Sequence, residues 1–279
     1  MAVITFYTEG KEETGNTVST LSYATYYSIV ESYKNLLIST GLNDNTMDTS
    51  LWPTRKEKKS GLFGPNINLL SQSGMEELNR IIQSNKLSPE MLTNYTKVAL
   101  RDRLELLSGY KGMEEQYREA QKDYIKIIDL AKSAYDNVII DLDKGLEIQT
   151  KKEILDISDV VVALSTQKSE SFETLVNSIN NESGLLKKKN TIIALGKYDN
   201  KTRYNAKNLA RNYLKRTETI ETIPYNSLLF EAVQEGKIID LFLDFRKLKI
   251  EDDNSFFMSE MKKLKDAIYY KVREAQIGM

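Results

Sequence analysis

The run Gly10-Lys11-Glu12-Glu13-Thr14-Gly15-Asn16-Thr17 holds the residues best placed to do chemistry. It follows the apolar stretch Ala2 to Tyr7 and precedes a helically spaced stretch containing Leu21, Ala24, Ile29 and Val30. A glycine-bounded loop between a strand and a helix N-terminus converges backbone amides and the helix dipole on one point, which is the chemistry of phosphate binding. A hydroxyl at Thr17 can hold a metal ion at such a point. Asp141, which ends another apolar run, can supply a carboxylate, and Ser39 can hydrogen-bond a metal-bound water. The chain has no His and no Cys, so serine–histidine and cysteine–histidine nucleophiles, thiolate or imidazole zinc sites, haem–histidine ligation and disulfides are all excluded.

These residues need a scaffold, and the spacing of apolar runs supplies one. The runs are Ala2 to Tyr7, Asn35 to Ser39, Arg103 to Leu107, Asn137 to Asp141, Asp159 to Ser165, Thr191 to Gly196 and Thr219 to Pro224. Several are apolar on successive residues, as strands covered on both faces must be. Stretches with helical spacing separate them, and this alternation predicts a parallel sheet wound with helices. Met113, Tyr117, Ala120, Tyr124, Ile127, Ile128 and Ala131 predict one amphipathic helix from Met113 to Tyr135. Ser88, Pro89 and Glu90 read as an N-cap, an N1 proline and an acidic first turn, starting a helix that runs to about Ala99.

Against the P-loop pattern GxxxxGK[ST], the loop keeps Gly10, Gly15 and Thr17 and carries Asn16 in place of the lysine. Further segments follow in order. Tyr135-Asp136-Asn137-Val138-Ile139-Ile140-Asp141 precedes Gly145, then come Asp159 to Ser165 and Gly196-Lys197-Tyr198-Asp199 with Arg203-Tyr204. The last are Ile223-Pro224-Tyr225-Asn226, Glu231-Ala232 and Glu235-Gly236-Lys237. Together they make the chain resemble the MinD/ParA family of deviant P-loop ATPases almost end to end, and within it the TadZ/CpaE-like proteins that localise pilus and secretion machinery. The resemblance implies a single α/β domain over residues 1–279. Its three layers hold a mostly parallel twisted sheet of about seven or eight strands with helices on both faces. It places a nucleotide against Gly10, Lys11, Gly15, Asn16, Thr17, Lys197, Tyr198 and Pro224, and magnesium against Thr17, Asp141 and Ser39. Lys11 falls at the family's signature lysine, which reaches a nucleotide across a homodimer.

The departures bear on activity. The family's loop reads GKGGxGKT, so Asn16 removes a positive charge from the place where transition-state charge is neutralised. Glu12 and Glu13 stand where glycines let the backbone approach phosphate. After the second strand, where the family has two aspartates, this chain has Ser39-Thr40-Gly41, and Gly41 cannot act as a base. The expectation is therefore weak or absent binding of ATP or ADP with magnesium and little or no hydrolysis. The chain then works as a positional scaffold through dimer and partner surfaces. The alternative is an ATP-dependent dimerisation switch with slow hydrolysis, in plasmid, mobile-element or chromosome partition.

Charge says little about a nucleic-acid partner, since 39 basic and 40 acidic residues leave a formal net charge of −1. The basic cluster Arg55, Lys56, Lys58 and Lys59 sits in a stretch from Asn43 to Asn68 that reads as one long surface excursion. A last helix over residues 255–276 carries Phe256, Phe257, Met261, Leu264, Ile268 and Val272 at helical spacing, flanked by lysines. That stripe either packs on the sheet or lies on a membrane surface. No apolar run is long enough to span a bilayer, and the start MAVITFYTEGK lacks the h-region of a signal peptide, so a cytoplasmic protein is expected, positioned at a pole or membrane through partners.

Overall fold

The computed structural model describes residues 1–53, 74–84, 88–181, 184–187, 190–215, 218–247 and 253–277. Its strands are β1 (Ala2–Thr8), β2 (Asn35–Ser39), β3 (Lys97–Leu100), β4 (Leu104–Leu107), β5 (Asn137–Asp141), β6 (Val160–Ser165), β7 (Thr191–Tyr198) and β8 (Ile220–Pro224). They form one 8-stranded sheet in the order β3-β4-β2-β5-β1-β6-β7-β8. Every neighbouring pair is parallel except β3 with β4. The expected α/β architecture is the one observed.

Alternation along β1 sorts the core into two faces. Ala2, Ile4 and Phe6 point to one side, where they meet helices α1 (Asn16–Val30), α2 (Thr46–Leu51), α10 (Ser227–Glu235), α11 (Ile238–Phe245) and α12 (Asp253–Ile277). Val3 and Tyr7 point to the other, against α3 (Met75–Gln83), α5 (Glu114–Ala120), α6 (Tyr124–Ala134), α7 (Ile148–Asp156) and α8 (Ser169–Asn180). Because both faces are covered, the strands can be apolar on consecutive residues; all five residues of β2 are buried. Helix α9 (Ala206–Tyr213) closes the β7–β8 edge through Leu209, which packs with Phe172 and Tyr198.

Three expectations change. The helix begun by Ser88, whose hydroxyl accepts the Met91 amide at 3.4 Å, is only α4 (Pro89–Leu92), followed by a 3-10 turn at Thr93–Tyr95. The chain then enters the antiparallel strand β3, because the Thr96 hydroxyl donates to the Glu105 carboxylate at 2.6 Å and ties the segment to β4. The helix from Met113 to Tyr135 is broken into α5 and α6 by a 3-10 turn at Gln121–Asp123. There Asn79 donates to the Ala120 carbonyl at 3.2 Å and Gln121 accepts the Glu147 amide at 2.8 Å, side-chain bonds that hold the break.

The third change concerns the stretch expected to be a surface excursion. Its first part forms α2, which buries Met47, Ser50 and Leu51. The backbone at Trp52 and Pro53 then runs so close to Gly236, the left-handed C-cap of α10 at φ 72°, that a Cβ on that glycine would lie 2.4 Å from the Pro53 nitrogen. Arg55, Lys56, Lys58 and Lys59 lie outside the described residues. At the other end of the chain, α12 buries Phe257, Met261, Leu264 and Ile268 in the core, so the stripe is spent on packing. Among the described residues no helix is long and apolar enough to cross a membrane.

Candidate functional site at the carboxyl ends of the strands

The parallel register sets the site's floor. Asp141, the last residue of β5, lies beside Phe6 of β1 on one side and Ser39 of β2 on the other. Directly above, the loop after β1 turns through Gly10 and Gly15, with φ of 78° and 79°, where a side chain would be strained. A bond of 2.6 Å between the hydroxyls of Thr8 and Thr14 closes the loop on itself. Gly15 is the N-cap of α1, whose first turn carries no acidic residue and receives no side-chain cap, leaving its amides open. Behind the loop, β7 comes so near that a Cβ on Gly196 would lie 2.1 Å from the Thr14 carbonyl oxygen.

Asn16 does not face outward. Its Nδ2 donates to Asp141 Oδ1 at 2.6 Å and to the Phe6 carbonyl at 3.3 Å, so the amide is turned down onto the strand ends. Asp141 is buried, 3% exposed. Burial pushes its carboxyl up to about 7, against hydrogen bonds from Thr17 and Asn16 that favour the charged form, and Asp143 and Asp44 add like-charge repulsion. Among the described residues no lysine forms an ion pair with it. The carboxylate is thus held by neutral donors only, a weak substitute for a cation.

Two clefts share the walls Gly15, Val18, Thr46 and Lys197. The polar one, about 420 Å³, runs past Glu12, Glu13, Thr17, Asp141, Asp143 and Lys144. Its side chains carry four carboxyls against two lysines, Lys144 and Lys197, although Glu12 is paired with Lys168 at 3.1 Å. The second, about 260 Å³, is an apolar shelf between Val18, Ile223, Pro224, Leu229, Phe230 and Val233. Lys197, at φ 50°, spans the two, and its Cε lies 3.3 Å from where a Gly15 Cβ would stand.

The site residues inferred from sequence are therefore only partly brought together. Gly15, Asn16, Thr17, Asp141, Lys197 and Pro224 meet at the clefts. Gly10 and Lys11 are exposed on the outer turn of the loop and line neither cleft. Ser39 is buried beneath Gly109 and does not reach the polar cleft. Tyr198 is buried too, and its hydroxyl accepts the Ala206 amide at 3.3 Å. Sequence reasoning missed Thr46, which sat inside the supposed excursion, and Val18, Leu229 and Phe230, whose helical spacing signalled only packing. It also missed Asp44, whose carboxylate takes the Thr46 amide and hydroxyl at 2.8 and 2.6 Å and whose charge acts on Asp141. Among the described residues no group of three or more carboxylates has the geometry to hold a metal ion.

The arrangement of strand order, loop and helix has known counterparts. The chain superposes on the septum site-determining protein MinD of Pyrococcus horikoshii OT3, solved with Mg-ADP, with a TM-score of 0.64 and 15% identity over 97% of this chain and 98% of that one. The fold is that of the MinD/ParA P-loop NTPases. A ParA family ATPase from Chlorobium tepidum matches at a TM-score of 0.62 and 14% identity, covering 86% of this chain and 92% of its own. A putative plasmid partition protein from Borrelia burgdorferi B31 bound to AMPPNP matches at 0.56 and 16%, covering 99% and 98%. No protein-family model and no curated protein matches the chain. Set on the MinD/ParA fold, the polar cleft lies at the carboxyl ends of β1 and β5, where doubly wound sheets place their ligands.

Proposed function

We propose that this chain is a MinD/ParA-fold assembly protein that does not hydrolyse nucleotide and acts as a positional scaffold, in the manner of the TadZ/CpaE-like proteins. The observation that carries the reading is the 2.6 Å bond from Asn16 to Asp141. It puts a neutral amide where the family's loop has a cation, and commits that amide's donors to Asp141 and the Phe6 carbonyl. Phosphoryl transfer relies on fixed positive charge around the leaving and attacking oxygens, and the polar cleft presents a carboxyl majority instead.

A nucleotide fits this site in part. The shelf between Val18, Pro224, Leu229 and Phe230 suits a planar apolar ring, and the open amides of α1 with Lys197 suit one phosphate group. A bound magnesium ion would add Lewis-acid charge, and Thr17 with Asp141 would have to hold it. These features also favour the second reading, an ATP-dependent dimerisation switch in a partition system. In both readings the working form is a homodimer that engages a protein partner.

Calorimetry and sedimentation of the purified protein with ATP and magnesium up to millimolar concentration separate the two. The scaffold reading expects weak or no saturable heat, no change of assembly state on adding ATP, and no phosphate release. Saturable binding that converts monomer to dimer would favour the switch. Asn16→Lys sharpens the test, because a cation beside Asp141 and the cleft should raise nucleotide affinity by about tenfold; an unchanged affinity would mean that Glu12 and Glu13, and not Asn16, govern the site.

A further inference from the structure

Away from the strand ends, α1, α11 and α12 enclose a groove of about 450 Å³, within the range of about 300–1,000 Å³ typical of binding clefts. Its apolar lining comes from Tyr26, Ile29 and Val30 of α1, Phe242 and Phe245 of α11, and Met258 of α12. The opening exists because α12 presents Ser255 and Ser259 on this stripe, one turn apart, while Phe257, Met261 and Leu264 fill the core behind it. Val30 remains 38% exposed.

Among the described residues, the groove's lining carries two cations and no carboxylate. Along α11 and α12, Lys247 pairs with Asp244, Lys263 with Glu260, Lys265 with Glu31 and Asp266, and Lys271 with Glu274, while Arg273 lies over the Tyr269 ring. Arg246 and Lys262 are exposed and have no carboxylate partner among the described residues, and both line the groove. Arg246 and Lys262, without an ion pair among the described residues, thus stand where an apolar trough opens.

We propose that this groove docks an acidic amphipathic helix of a partner protein, whose apolar stripe rests on Ile29, Val30 and Met258 and whose flanking carboxylates pair with Arg246 and Lys262. Charge complementarity selects an anionic occupant, and hydroxyls along the α12 wall suit a peptide better than an acyl chain, which is best housed by an all-apolar tunnel. The surface is remote from the loop at Gly10 to Thr17, so this docking stands whether or not nucleotide binds.

The test uses the full chain and a fluorescent, end-capped helical peptide of about 14 residues, with leucines at i, i+3, i+4 and i+7 and glutamates on both flanks, read by anisotropy. Saturable binding is expected. The double variant Arg246→Glu with Lys262→Glu should weaken it by about tenfold or more, and a peptide carrying lysines in place of glutamates should regain binding to that variant. Ser259→Trp, at an exposed position, should block the groove and abolish binding, with circular dichroism verifying that each variant is folded. Failure of the acidic peptide to bind the unmodified chain overturns the proposal, as does equal binding to all variants. Binding to phosphatidylglycerol vesicles that depends on Arg246 and Lys262, with no peptide binding, would overturn it in favour of a lipid.

Discussion

Asp141 and Glu105 are buried carboxylates on the two strands that flank β2, near its opposite ends, beside Ser39 and Leu36 respectively. Their surroundings push them in opposite directions. Glu105 also loses water, but it accepts hydrogen bonds from Thr96 at 2.6 Å and Tyr135 at 2.5 Å and an ion pair from Lys34 at 3.2 Å, which together hold its carboxyl below the usual range. Among the described residues Asp141 receives amide and hydroxyl donors and no cation, and burial dominates. The comparison separates a carboxylate that anchors the fold from one the fold tolerates at a cost. Carboxyls perturbed in that second way cluster at functional sites.

The largest expected effect tests the anchored member. Glu105→Ala leaves the Tyr135 hydroxyl and Lys34 without their partner and should destabilise the protein by about 2–3 kcal/mol, measured by urea unfolding at pH 7. A loss under about 0.5 kcal/mol would show that water satisfies the cluster and that the contrast with Asp141 is false.

Asp141→Asn should do the reverse and stabilise. Its carboxyl titrates near 7 in the folded chain against an ordinary value of 3.8, so protonation favours the fold. That contribution is fully present below about pH 4 and is lost as pH rises through 7, a span worth at most about 4 kcal/mol. We expect Asp141→Asn to gain about 1–2 kcal/mol at pH 8 and nothing at pH 4. Glu105, held low, has the opposite slope: its contribution is present above 4.5 and is lost as pH falls through its depressed value. A stability profile of Asp141→Asn parallel to that of the unmodified chain from pH 4 to 8 would sink the comparison.

The smallest effect concerns the loop. Glu12→Gln removes the exposed pair with Lys168 and should change stability by under about 0.5 kcal/mol, with any effect fading in high salt. A larger loss would mean that this ion pair, and not the Thr8–Thr14 bond and the Gly196 contact, holds the loop closed.

Much of the sheet was legible because its signals are local. Consecutive apolar residues at Val138 to Ile140 and Val160 to Val162 have no other satisfactory place in a doubly covered sheet. Strand β3 was not legible, since Lys97 to Leu100 is short and half-exposed and owes its form to Glu105 on the next strand. The loop's glycines and the Asn16 departure could be read directly. The direction in which Asn16 points could not, because its partner Asp141 is 125 positions away in the chain. Nor could the burial of Ser39 be foreseen, which depends on the backbone at Gly109 closing over it.

The close approach of Trp52 and Pro53 to Gly236 gives this protein a built-in optical gauge. Trp52 is its single tryptophan. It ends α2, whose first residue, Thr46, lines both clefts, and it abuts the end of α10, whose Leu229, Phe230 and Val233 form the apolar shelf. A ligand that spreads or closes the shelf moves one helix against the other, and the emission of that lone indole should shift in wavelength and intensity without any label being attached.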